Sequence, residues 1–188
     1  LQNGIKYITG DIARLGKDKS IFMVWDGLRV EKIVEMQVSK VNESVDAINE
    51  LIKEFNVNRL NVIVDEDGVG GGVVDYLKCI GFVNNSKPIK IKGREENFQN
   101  IKTQCYYKLS EHINRNEIYV KCNEKQEQLL SEELEMVRLS KETDTNKISL
   151  LSKDEVKKKI GRSPDYSDAL MMRMYFVLNS NKGIYVTG

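Results

Sequence analysis

Along the first third of the chain the apolar residues fall in strand-like patterns. Residues 6–11 form a short strand candidate, and Ile21-Phe22-Met23-Val24-Trp25 is an unbroken apolar run, as expected of a strand covered on both faces. Val34, Met36 and Val38 alternate with polar neighbours, the period of a half-buried strand. Asp26-Gly27 between these last two segments is a hairpin signal. The period then lengthens. Val45, Ile48, Ile52 and Phe55 recur at helical spacing, which predicts an amphipathic helix over residues 41–55. Residues 61–65 read as another buried strand, followed by a glycine cluster (Gly68, Gly70, Gly71, Gly72) and a short helix through about Cys79. Beyond it the pattern predicts a strand at 89–91, a helix over 100–113 and a polar, glutamate-rich helix over 125–139. A strand at 147–151 follows the hydrophilic turn at 143–146, and a last helix runs from Pro164 to about Asn179. Three antiparallel strands followed by alternating helices and strands make a mixed α/β sheet with helices on its faces.

Composition narrows the function classes. The 188 residues fit one domain, and no internal repeat or linker-like stretch divides them. A hydrophobic fraction of 40%, a charged fraction of 30% and only 2 prolines exclude a disordered or collagenous chain. No stretch approaches the roughly 18 consecutive apolar residues of a membrane span, and the start Leu1-Gln2-Asn3-Gly4 is no signal peptide, so a soluble protein is expected. With 29 basic against 28 acidic residues the net charge is +1, which argues against a partner held by bulk charge and leaves room for local patches. Cys79, Cys105 and Cys122 are too dispersed for a zinc motif and too few for a disulfide scaffold, and point to a reducing compartment. His112 is the sole histidine, so any chemistry falls mainly to carboxylates.

Four acids in three places are candidates. Asp11 closes the first strand and Asp65 closes the strand at 61–65; ligands of open α/β sheets gather at such carboxyl ends. If those two strands are neighbours, the two carboxylates face each other. The third place is Ser163-Pro164-Asp165-Tyr166-Ser167-Asp168, where Ser163 suits an N-cap and Pro164 the first helical position. Asp165 there complements the helix dipole, whereas Asp168 lies a turn further in, against Leu170, Met171, Met172 and Phe176. Two carboxylates about 4 Å apart repel by roughly 4 kcal/mol at an effective dielectric of 20, so a converging set must take up protons or cations. Oxygen-only ligands select Mg²⁺ or Mn²⁺. A pair of such ions can clamp the attacking and leaving oxygens of a phosphodiester without help from histidine. With 28 acids in the chain, a few at strand or helix ends is ordinary, and spacing alone favours that plainer reading.

The wider motifs favour the first reading. Gly10-Asp-Ile-Ala-Arg-Leu-Gly-Lys-Asp-Lys-Ser20 is similar to the first acidic motif of the nuclease domain of tailed-phage terminase large subunits, and Asp65-Glu-Asp-Gly-Val-Gly-Gly-Gly-Val-Val-Asp-Tyr-Leu77 resembles their second. The stretch from Ser152 through Arg162 to Ser-Pro-Asp-Tyr-Ser-Asp-Ala-Leu170 resembles the closing motif, and residues 97–113 the helix between. The motifs come in the family's order and cover nearly the whole chain. The resemblance implies an RNase H-like fold, with an antiparallel three-strand meander, parallel strands and helices on both faces. It also implies an endonuclease using two divalent cations, Mg²⁺ or Mn²⁺, to cut concatemeric double-stranded DNA during genome packaging in the host cytoplasm. By motif position Asp11, Asp65 and Asp168 would be catalytic metal ligands. Asp165 lies where some relatives carry histidine: a fourth ligand, a group behind the ligands, or a dipole partner. The small terminase subunit and the portal protein are the partners implied for the full-length protein. No G-x-x-x-x-G-K-[ST] occurs, so the family's ATPase motor has no counterpart here, and the chain resembles an excised carboxyl-terminal domain.

Several features keep two readings. The glycines at 68–72 suit a close backbone approach to a phosphate or a tight strand-to-helix turn. Lys153, Lys157, Lys158, Lys159 and Arg162, like Lys87, Lys90, Lys92 and Arg94, suit DNA backbone or plain solvation. Arg14 suits either a phosphate contact or support for Asp11. The rival functions are a junction resolvase or transposase-like nuclease, an actin-like ATPase, and a non-catalytic docking module of the packaging motor.

Overall fold

The computed structural model describes residues 4–13, 19–37, 40–140 and 146–180. Three strands open the chain: β1 (Lys6–Asp11), β2 (Ser20–Asp26) and β3 (Arg29–Met36). Then come α1 (Val41–Phe55), β4 (Val62–Asp65), α2 (Gly70–Leu77), β5 (Ile80–Phe82), α3 (Ile101–Asn114), β6 (Tyr119–Val120), α4 (Glu124–Glu135), α5 (Lys153–Ile160) and α6 (Asp165–Ser180). The strands form one sheet in the order β5-β4-β1-β2-β3-β6. Within it β1, β2 and β3 pair antiparallel, while β4 joins β1, β5 joins β4 and β6 joins β3 in parallel. This is the RNase H-like arrangement that the motifs imply.

The unbroken apolar run of β2 has its expected cause, because every residue of the strand is buried. Its alternate side chains feed two cores on opposite faces of the sheet. Ile21, Met23 and Trp25 face α3 and α6, packing with Cys105, Leu109, Leu170, Met171 and Met174. Phe22 and Val24 face α1 and α2, packing with Ile48, Leu51, Val73 and Leu77. The indole of Trp25 keeps its N–H satisfied by donating to Thr9 Oγ1 at 3.1 Å. Asp26 pairs with Arg29 across a tight turn in which Gly27 holds a φ of +61°.

Where expectation and structure differ, side chains have supplied what a sheet would have supplied. The strand expected at 89–91 is only an isolated bridge between Ile91 and Arg94. The Gln104 side-chain amide satisfies Ile89 on both sides, accepting from its N–H at 2.7 Å and donating to its carbonyl at 2.8 Å. The third parallel strand is instead β5, three residues that carry too little pattern to announce a strand. Residues 147–151 contribute two isolated bridges, Ile148 to Phe98 and Leu150 to Leu139. The second of these explains why α4 ends at Glu135, short of 139. Residues 153–160, read as a basic approach to the last helix, form α5, with Ser152 and Glu155 closing a capping box. Val38, Arg14 and residues 143–145 of the hydrophilic turn lie outside the described residues.

Gly70 sets how closely α2 approaches the end of β4. A Cβ placed there would stand 1.6 Å from the carbonyl oxygen of Asp65, a backbone atom with no room to retreat. Gly70→Ala should therefore destabilise at the upper end of overpacking costs, about 3 kcal/mol, or roughly 6–12 °C in Tm at this chain length. Thermal unfolding of the variant within a degree of the parent would show that α2 does not meet β4 this way.

Candidate metal centre

The strand order brings the candidate acids together. Thr9 and Gly10 of β1 pair in register with Ile63 and Val64 of β4, so Asp11 and Asp65 leave the sheet side by side at the same carboxyl end. α6 packs across β1 and β2 and begins at that end, delivering Asp165 and Asp168 from its first turn. Asp11 is 2% exposed and Asp168 3%. All four acids line a cleft of about 890 Å³ whose lining holds no histidine or cysteine.

A lysine stands among them. Lys153, the first residue of α5, has its ammonium 3.4 Å from Asp11 Oδ2, 3.4 Å from Asp168 Oδ2 and 4.0 Å from Asp165 Oδ1. Its sequence neighbours are the basic residues after it, yet from the head of α5 its ammonium reaches the acids while 40% of the side chain stays exposed. Burial works against its charge, yet the Asp11 and Asp168 carboxylates outweigh that and push it above the ordinary lysine range. A second lysine, Lys102 of α3, grips Asp168 at 2.8 Å from Oδ1 and 2.9 Å from Oδ2. Asp168 is thus held below the usual carboxylate range: burial opposes its charge, but Lys102 and Lys153 prevail. Tyr106, one turn beyond Lys102, donates to Asp168 Oδ1 at 2.7 Å and lies 3.0 Å from Ser167 Oγ. Burial, reinforced by the Asp168 charge, pushes its phenol well above the ordinary value.

The other three acids are underfed. Asp11 Oδ1 is buried with no hydrogen-bond partner. Burial raises Asp11, and the Asp168 charge adds to this against the pull of Lys153. Burial and the Asp11 charge push Asp65 up to about 7 and Asp165 up to about 8. Without a further cation, a proton shared between Asp65 and Asp11 is what relieves the pair. Asp65 Oδ1 also accepts from the Asn84 side chain at 3.1 Å and from the Asp67 N–H at 3.0 Å, while Lys19 N–H donates to Asp165 Oδ2 at 3.3 Å.

The donor set is four carboxylates, hard oxygen ligands of which Asp11 Oδ1 is left without a partner, and that chemistry fits Mg²⁺ or Mn²⁺. Among the described residues no three acidic, histidine or cysteine side chains converge tightly enough to hold an ion as they stand. The Lys153 ammonium occupies the middle.

Beyond the acids, the start of α6 is fixed from outside. Helix α6 begins at Asp165, one residue past expectation, and the free N–H of Ser167 donates to Glu133 Oε2 of α4 at 2.7 Å. Arg162 binds Glu133 Oε1, Glu132 at 3.1 Å and the Leu129 carbonyl at 3.0 Å, which ties its guanidinium into the joint between α4 and α6. Lys157 lines the cleft and donates to Ser163 Oγ at 3.4 Å; Lys158 is exposed on α5. Lys102, Tyr106, Asn84 and Glu133 were not singled out in the sequence. The spacing of Lys102 and Tyr106 on one helix was their only local signal.

No protein-family model and no curated protein matches the chain. Its fold is similar to those of solved nuclease domains. The nuclease domain of the large terminase subunit gp2 of bacterial virus Sf6 aligns over 93% of this chain and 89% of its own, at 23% sequence identity and a TM-score of 0.80. The large terminase nuclease of thermophilic phage G20c aligns over 91% and 81%, at 16% identity and a TM-score of 0.60. That of Thermus phage P74-26 aligns over 90% and 77%, at 15% identity and a TM-score of 0.58. Solved forms include the Sf6 domain with manganese or calcium and the G20c nuclease with magnesium or cobalt. At these identities the likeness is one of fold.

The raised acids carry a stability signature. Folded Asp65 and Asp165 keep protons, up to about 7 and about 8, that the unfolded chain gives up near 3.8. Stability in divalent-free buffer should therefore fall as the pH climbs from about 4 to about 8. Asp165→Asn should flatten that slope and raise stability at pH 8.5 by about 0.5–2 kcal/mol. Thermal melts in EDTA across this range test it, and a Tm that rises with pH would contradict the account.

Proposed function

We propose that this chain is the nuclease domain of a phage packaging terminase, a divalent-cation-dependent endonuclease that cuts concatemeric double-stranded DNA. The observation that carries this reading is the set of four aspartates at the carboxyl ends of β1 and β4 and the start of α6, three of them buried, with one oxygen of Asp11 left unpartnered. A protein does not bury several carboxylates in one cleft unless something positive completes them. The shared fold with terminase nucleases, some solved with divalent metals, supports the same conclusion.

Asp11, Asp65 and Asp168 would hold the ions, with Asp165 as a fourth carboxylate beside them. Two divalent cations bound there would supply an activated water and stabilise the departing 3′ oxygen of the phosphodiester. Asp11 would serve as the shared carboxylate of the set, the one whose charge couples to Asp65, Asp165 and Asp168 alike. Asn84 steadies Asp65 through its amide, and the α4–α6 joint through Glu133 keeps the first turn of α6 in place. Lys153 acts as the resident counter-ion, and its exposed stem (40% side-chain exposure) gives it a path out toward a phosphate. Lys157 and Lys158, on the cleft side and outer side of α5, and Arg14 would follow the DNA backbone, whereas Arg162 would contribute mainly by bracing the joint.

The near-neutral net charge gives the domain a weak grip of its own, so processive hold falls to the motor, the small subunit and the portal of the packaging assembly. No described helix is long and apolar enough to cross a membrane. The reaction is expected in the host cytoplasm.

The test is plasmid nicking with Mn²⁺ or Mg²⁺. Asp11→Asn should lose more than about 100-fold in rate, beyond what loss of a supporting contact costs, with its circular dichroism unchanged. Undiminished nicking by that variant would overturn the assignment.

A further inference from the structure

Asp168 is the most heavily partnered of the four acids, and its partners differ in what they can do when a cation arrives. Three donors reach it: Tyr106 on Oδ1 at 2.7 Å, Lys102 on both oxygens at 2.8 and 2.9 Å, and Lys153 on Oδ2 at 3.4 Å. An ammonium close to a divalent ion is repelled about twice as strongly as it would be by a monovalent cation at the same distance. Both lysines must therefore yield as Asp168 becomes a ligand. A neutral phenol carries no such penalty. Of the three contacts, only the tyrosine is compatible with a loaded site.

Tyr106 is also built to stay. It is buried in the core between α3 and α6, and its hydroxyl lies between Asp168 and Ser167 Oγ, which is 3.0 Å away. Ser167 is itself anchored, its Oγ to the Pro164 carbonyl at 3.2 Å and its N–H to Glu133. The tyrosine takes Oδ1 from behind, while Oδ2 is the oxygen that meets the Lys153 ammonium in the middle of the acids. We propose that Tyr106 is a positioning residue for the metal centre: its hydroxyl pins Asp168 through Oδ1 and so presents Oδ2 to the incoming cation.

The inference rests on the metal-dependent reading above and is tested by binding, not cleavage. The whole chain, stripped with EDTA and dialysed, is titrated with Mn²⁺ by calorimetry. Tyr106→Phe, which keeps the ring and removes only the hydroxyl, should bind Mn²⁺ about 10–100-fold more weakly than the parent. Its melt in EDTA is recorded alongside, because a merely structural tyrosine would lower that Tm and leave the Mn²⁺ affinity alone. Unchanged affinity in Tyr106→Phe overturns the proposal while leaving the metal centre standing. A parent chain that takes up no Mn²⁺ overturns both. Should Tyr106→Phe fail to fold, Ser167→Ala serves instead, since it frees the tyrosine hydroxyl without touching Asp168; weaker Mn²⁺ binding supports the proposal and equal binding overturns it.

Discussion

The molecule is organised around a cluster of negative charge that it does not fully neutralise. Four aspartates meet at the carboxyl ends of the central strands, two of them almost wholly enclosed, and among the described residues the positive groups in contact with them are two lysine ammonium ions. Burial and the Asp11 charge push Asp65 up to about 7 and Asp165 up to about 8, so protons make up part of the deficit. Such an arrangement is costly to the fold and is the usual mark of a site kept for chemistry rather than stability.

The scaffold explains how that cost is carried. β1 and β4 lie side by side in the middle of the sheet with a fully buried β2 beyond, so the backbone that presents Asp11 and Asp65 is among the most tightly held in the protein. α6 is pressed onto the same sheet by an almost continuous apolar body, and Glu133 and Arg162 fix its first turn from α4. Glu133 is itself raised to about 7, first by burial, against the pull of Ser167 N–H and Arg162. α5 is different: Val156 is its one buried residue, and Lys153 at its head contacts the acids from a half-exposed position. The rigid elements carry the carboxylates and Lys102, and the lightly packed one carries Lys153.

That division would suit the proposed metal centre, in which one kind of positive charge replaces another. A lysine ammonium is a compact point charge on a flexible stem, able to leave a carboxylate for a phosphate without disturbing the backbone. Tyr106, by contrast, is rigid, buried and neutral. The two kinds of partner on Asp168 differ in chemistry, one a charged ammonium on a flexible stem and the other a neutral, buried phenol.

The elements were legible in the letters where their period was sustained. The apolar run of β2, the stripe of α1 and the start of α6 all follow from relations between residues two to four apart, which local geometry enforces. The acids at strand ends and at the head of α6 could be picked out for the same reason, and the motif resemblance linked them. The brief strands β5 and β6 could not, since two or three residues carry no period. Nor could the partners of the acids. Tyr106 lies 62 positions from Asp168, and Lys153 lies 142 positions from Asp11. The order of residues decided which side chains were available and which element each would ride on. Only strand order and helix packing decided that a lysine would stand among the aspartates and a tyrosine behind one of them, because contacts across such separations depend on where whole elements come to rest and not on any spacing along the chain.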